Sequence, residues 1–302
     1  MHRCLRIPEI LVEICEYLAV IELSSFRRPV VRSRKATAAL AAFARTCKTI
    51  QNPALDILWA DLDYFVRLIQ CLPRDLWKVQ EVPTTTRYSG PPKQPVIFQR
   101  SMTLSDWKVF NKYAHRVRSL AGMTDTRGYV AATNTISSEV LLVFGGPPAS
   151  PILPNLCNLT WDSLSPDCIS LFRHLLSPKI IRLVLNLDFN QLDLYSNSVL
   201  SVIGDVCPQM DHFVLCRRQS SRDMQQSINM VSQVVASFQH IRTLEVDAIN
   251  GKAIAHLARL PSLTSVSFAL DPSIEANFIK WLPAKPFPVL ATLTIRAPDV
   301  RR

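Results

Sequence analysis

The side chains able to do chemistry are few in kind: eight cysteines, at 4, 15, 47, 71, 157, 168, 207 and 216, and six histidines. No two cysteines stand as CxxC, the spacing that lets one turn offer two thiolates to one zinc ion, and no HExxH puts two imidazoles on one helix face. Several of the cysteines fall on apolar faces at helix or strand period, so in a reducing compartment they read as small buried hydrophobes. The Gly145-Gly146 pair runs into Pro147-Pro148 and lacks both GxGxxG and GxxxxGK[ST], so it offers no cradle for phosphate. No GxSxG elbow occurs, and seven glycines in the whole chain are too few for several kinds of tight catalytic turn. The carboxylates Asp162 and Asp167 suit a loop and a helix cap, because nothing near them in sequence would raise one pKa for acid/base work. Neither catalysis, cofactor nor metal is expected, and the chain is expected to act through its surfaces.

With 302 residues, 48% of them hydrophobic, the chain can bury the core of a small module and one larger domain. Apolar runs such as Val140 to Phe144 fall far short of the roughly 20 residues of a membrane helix. Glu9, Glu13 and Glu16 interrupt what would be the apolar segment of a signal peptide. No membrane partner is expected, and the expected location is the cytosol or the nucleus. Of the net charge of +10, the densest part is Arg27, Arg28, Arg32, Arg34 and Lys35, in the linker between the first two helix patterns. That stretch reads as a solvated loop, with nuclear localisation or an anionic surface as the alternative. It lacks the interleaved aromatics of a strand-binding platform, so nucleic acid is not an expected partner.

The elements that would present such surfaces begin at Ile7-Pro8. A proline at the first helical position has no N–H to lose, and apolar residues at 7, 10, 11, 14 and 18 make the helix amphipathic. A second helix carries Leu40, Phe43, Ala44 and Cys47 on one face. A third is expected to open at Asn52-Pro53 and to carry Leu55, Leu58, Trp59 and Leu62. A domain of about 50 residues buries only around 60% of its unfolded surface, so three such helices imply a partner. The order of these landmarks resembles the F-box. The wording Ala44-Arg45-Thr46-Cys47-Lys48, Pro53 to Trp59 and Cys71-Leu72-Pro73-Arg74-Asp75-Leu76-Trp77 is similar to the F-box proteins abundant in fungi. The linker from Leu18 to Leu40 is longer than usual there, and Ile50 stands where many members carry Trp. The resemblance implies docking on a Skp adaptor, and through it on a cullin-RING ubiquitin ligase. The adaptor contacts it implies are Ile7, Pro8, Ile10, Leu11 and Ile14, with Cys47, Leu58 and Trp59 in support.

Beyond the module, residues 62 to 77 are expected to continue as helix, ending at Pro73 and restarting briefly at Asp75-Leu76-Trp77, and 82 to 95 as an exposed loop, with a new helix starting at Thr103-Leu104-Ser105-Asp106. An apolar-x-x-apolar unit then recurs with its second apolar residue at 120, 159, 183, 213, 244, 266 and 293. The intervals are 39, 24, 30, 31, 22 and 27 residues. Helix patterns with readable caps lie between, at Ser165-Pro166, Ser196, Met224 onward and Asp271-Pro272. A doubly wound α/β fold would show the same alternation, but most intervals lie near the roughly 20–29 of leucine-rich repeats. The pattern resembles the repeats that follow the F-box in many family members. The expected fold is therefore an α-helical F-box module over residues 1–62, a bridging helix and Pro-rich loop over 63–100, and an irregular α/β leucine-rich-repeat solenoid over 101–302. The solenoid's parallel sheet would lie on its concave face. A protein substrate would meet the outward strand residues, among them Arg182, Val184, Asn186, Glu245, Asp247 and Arg296, while Leu183, Leu185, Leu244, Val246, Val266 and Phe268 point inward. The function expected is that of a non-catalytic substrate adaptor of a Skp/cullin/F-box ubiquitin ligase. A repeat scaffold binding protein partners outside any ligase is the alternative.

Overall fold

The computed structural model describes residues 7–19, 21–22, 31–32, 34–80, 93–122, 133–162, 166–187, 194–217, 224–270 and 281–296. It is an α/β protein with a large parallel sheet. The chain divides into two compact units, residues 1–143 with 152–156, and residues 144–151 with 157–302.

The first unit opens with α1 (Pro8–Leu18), a two-residue antiparallel pair β1 (Ile21–Glu22) and β2 (Val31–Arg32), α2 (Arg34–Phe43) and α3 (Lys48–Ala60). Pro8 is the first helical residue of α1, as the sequence requires. Leu11, Cys15 and Ala19, spaced by one turn, meet Leu40, Ala44, Ile50 and Ala54 in a closed core, with Leu18, Phe43, Cys47, Leu55, Ile57 and Leu58 packed on it. Two boundaries differ from expectation. The second helix starts at Arg34, so Arg34 and Lys35 belong to it and not to the linker. The third starts at Lys48, not Asn52, and holds Pro53 in its interior. Burying Ile50 and Ala54 together requires that extra turn, and their packing outweighs the one backbone hydrogen bond that Pro53 cannot donate.

The expected helix over 62–77 is replaced by β3 (Asp61–Leu62), the single-turn α4 (Val66–Ile69) and β4 (Trp77–Val79). Apolar residues at 62, 65, 66, 69 and 72 are all accommodated by burial on several sides, so their helical spacing reflects a tight turn and not one long stripe. The antiparallel β4 and parallel β7 (Thr133–Ile136) flank β5 (Lys93–Phe98) in a three-stranded sheet, so residues 93–95, expected as the end of the exposed loop, are strand. Then α5 (Leu104–Ala114) starts as expected, under a reciprocal capping box between Thr103 and Asp106. Arg100 locks the same corner: its guanidinium donates to both Asp106 oxygens at 2.6 and 3.0 Å and to Asp75 at 2.7 Å. Next, β6 (Ser119–Leu120) lies parallel to β3 with Leu120 opposite Leu62, and α6 (Ser138–Phe144) follows β7.

In the second unit strands and helices succeed one another as far as Leu270. The unit comprises β8 (Asn158–Trp161), α7 (Pro166–Leu175), β9 (Arg182–Leu187), α8 (Leu194–Ser201), α9 (Ile203–Val206), β10 (His212–Arg217), α10 (Met224–Ala236), β11 (Thr243–Ile249), α11 (Gly251–Leu257), β12 (Ser265–Leu270) and β13 (Thr292–Arg296). These six strands are all parallel and stand side by side in chain order. Such an order has no reversal point, so the crevice where a doubly wound sheet holds its ligand does not arise here. With crossovers of one hand, sequential order puts every helix on the same face of the sheet.

Six of the apolar positions picked out by their recurrence are direct partners across the strands: Leu159, Leu183, Phe213, Leu244, Val266 and Leu293 form one row. A second regularity lies two residues before it. The carbonyls of Cys157, Ile181, Asp211, Arg242 and Thr264 each accept two successive N–H groups from the turn entering the next strand, at 2.8–3.1 Å. The turn is thus repeated with the strand. The cap of α11 is Asn250, whose side chain accepts from Ala253 N–H at 3.0 Å; this short helix was not anticipated, because Gly251 at its start hides it from propensity. The helix pattern at Asp271-Pro272 lies outside the described residues.

Candidate partner-binding surface

Helix α1 is apolar on two sides. The 11–15–19 row closes the three-helix core, and a second stripe remains on the outside, with Ile7 44%, Ile10 37% and Tyr17 80% exposed and Ile14 half-buried. Glu9, Ile10, Glu13, Ile14, Tyr17 and Leu18 line an open groove of about 480 Å³. Of the eight residues implicated by the F-box resemblance, Ile7, Pro8, Ile10 and Ile14 present surface here. Leu11 is turned inward and only 1% exposed, so it supports the face without joining it. Cys47 and Leu58 are half-buried against the same core. Trp59 lies against the Tyr113 ring at 4.9 Å, and Arg116 beside it donates to the Asn52 carbonyl at 3.3 Å, to Asn52 Oδ1 at 3.0 Å and to the Asp56 carboxylate. The last turns of α3 are thereby fixed to the end of α5 within the same unit. Tyr17 was overlooked in the sequence, although its place three residues after Ile14 and seven after Ile10 puts it on their stripe.

The polar face of the six strands β8 to β13 is the second surface. Arg182, His212, Thr243, Ser265 and Thr292 form one row across it, and Glu245, Ser267 and Thr294 lie in the next row, beside Val184 and Val214. Burial pushes His212 down to about 4, and the neighbouring Arg182 charge pushes the same way against Asp211 and Glu245; its imidazole is neutral at pH 7. Burial also lowers the Arg182 guanidinium. Val184, expected to face outward in the open, is 3% exposed: it pairs with Val214, which is also buried, and the two are flanked along their strands by the longer Arg182, His212 and Asn186. Alternation along β9 therefore gives no alternation of burial, as is usual in parallel sheets. Asp247 falls in a bulge, where three steps of β11 match two of β12 between Glu245 and Ala248. Arg296 reaches back to this bulge, donating through Nη2 to the Val246 carbonyl at 2.6 Å. It works as a clamp on the sheet.

Burial raises the Cys71 and Cys207 thiols to about 11 and also raises Cys15, which keeps all three protonated at neutral pH. Among the described residues no group of three or more His, Cys, Asp or Glu could hold a metal ion, and no helix is long and apolar enough to cross a membrane. No model of a known protein family matches the chain, and no curated protein matches it either.

Proposed function

We propose that the chain is an F-box protein, in which α1 to α3 dock on a Skp adaptor of a cullin-RING ubiquitin ligase and the parallel-sheet unit is an irregular leucine-rich-repeat array that presents a protein substrate. The observation that carries the reading is the double-sided character of α1: its core is already closed, yet Ile7, Ile10, Ile14 and Tyr17 remain on the outside. A helix that only capped its own chain would carry polar residues there. The strict chain order of six parallel strands and the repeated turn at their entry support a repeat array as the substrate-bearing part. The work done is positional, raising the effective concentration of substrate near the charged ubiquitin carrier, in the cytosol or nucleus.

Co-expression with the Skp adaptor and affinity purification tests this. Stable capture is expected, and replacing Ile7 and Pro8 with Ala should abolish it while circular dichroism stays unchanged. Capture that survives both replacements, or no capture by the unaltered chain, would overturn the assignment; a scaffold acting outside any ligase would then be the better description.

A further inference from the structure

The groove on α1 lies between two rows of its side chains, Glu9–Glu13–Tyr17 and Ile10–Ile14–Leu18. Each row has the i, i+4 spacing of the ridges by which helices interlock, so the channel between them is shaped for one ridge of another helix. Its two walls differ. One is aliphatic, and the other begins with two exposed carboxylates and ends in a phenol. Glu16 adds a third acid, and α1 carries no Lys or Arg, although the chain as a whole has a net charge of +10. This helix is therefore itself acidic, in a chain whose net charge is basic. An acidic partner drawn to the rest of the surface would be repelled here, and a partner with cations beside its apolar ridge would be drawn in.

We infer that the occupant of the α1 face is an amphipathic helix whose aliphatic i, i+4 ridge seats between these rows, with Lys or Arg along the flank that meets Glu9 and Glu13. Interlocking of two such ridges places the axes about 8–10 Å apart at a crossing angle near about −50°. The cationic stems lie over the aliphatic wall and their heads reach the carboxylates. The inference rests on α1 being a docking face, and it adds the charge pattern of what docks.

The test uses the full chain and two synthetic amphipathic helical peptides with the same leucine ridge, one flanked by lysines and the other by glutamates. The lysine peptide should bind about tenfold more tightly, and raising salt from about 0.1 M to about 1 M, which shortens the screening length from about 10 Å to about 3 Å, should erase the difference. Glu9→Lys with Glu13→Lys should reverse the preference. Ile10→Ser with Tyr17→Ser, both at surface positions, should weaken both peptides alike. Equal binding of the two peptides, or a preference unmoved by the charge reversal, would overturn the inference. Adaptor capture measured on the same variants separates the two readings: capture without peptide discrimination removes only the charge pattern, and discrimination without capture removes only the ligase.

Discussion

Asp106 shows how a single residue can hold a corner of this protein. It is buried, it caps α5 through Thr103, and the Arg100 guanidinium beside it holds its carboxyl well below the usual carboxylate range. A carboxyl depressed on folding contributes stability that is fully present above its unfolded pKa of about 3.9 and is lost as pH falls through the lower folded value. Asp106→Asn should accordingly lower the urea midpoint at pH 7 and flatten its decline between about pH 5 and pH 2. An acid limb as steep as that of the unaltered chain would show that other carboxyls carry the effect. Leu244, 1% exposed in the middle of the apolar row, should lose about 2–5 kcal/mol when replaced by Ala, as a large-to-small change with no room to collapse. Chemical denaturation measures this directly, and a loss within error would contradict its place in the row. Residues of this kind were legible as apolar anchors. The Arg100 clamp was not, because Asp75, one of its two acidic partners, comes from a separate stretch that only the fold brings to it.

At the level of elements, the recurrent apolar-x-x-apolar unit located strands well, since its spacing records contacts between neighbouring strands rather than local propensity. Helix boundaries were less legible, and α3 shows why: the local signal of Asn52-Pro53 favours a start, but burial of Ile50 draws the preceding turn into the helix. The short strands β3 and β4 were hidden inside a helical spacing for the same reason. Where elements cross closely, small residues are required. A Cβ on Gly204 of α9 would come within 2.6 Å of the Ser237 carbonyl at the end of α10, against backbone that cannot swing aside. Gly204→Ala should therefore cost about 1–3 kcal/mol through overpacking, although Ala is the better helix former at an exposed site. A thermal melt at or above that of the unaltered chain would show that α9 can shift to make room.

At the scale of the whole molecule, two kinds of surface were readable from sequence to different extents. The α1 stripe could be found from its period, because a helix repeats every 3.6 residues whatever it touches. The sheet's polar face could be found only as a set of alternating positions. The bulge at Glu245–Ala248, the burial of Val184 and the reach of Arg296 to Val246 depend on strands lying side by side, which no single stretch encodes. The chain order of the strands, by contrast, agrees with the recurrence of one strand unit along the chain, and it removes the ligand crevice of reversing α/β sheets.

The unequal intervals between partners in the apolar row have a consequence for how this protein can vary. Successive strands stay aligned although the connections between them differ in length by several residues. Lengthening a connection adds only slowly growing closure entropy, on the order of 0.6 kcal/mol for each doubling. A single residue added within a strand would instead swap every side chain beyond it between the greasy and the wet side. The chain is thus tolerant of insertion along its crossovers and brittle within its strands, and new recognition loops could be grafted at the former without re-solving the packing.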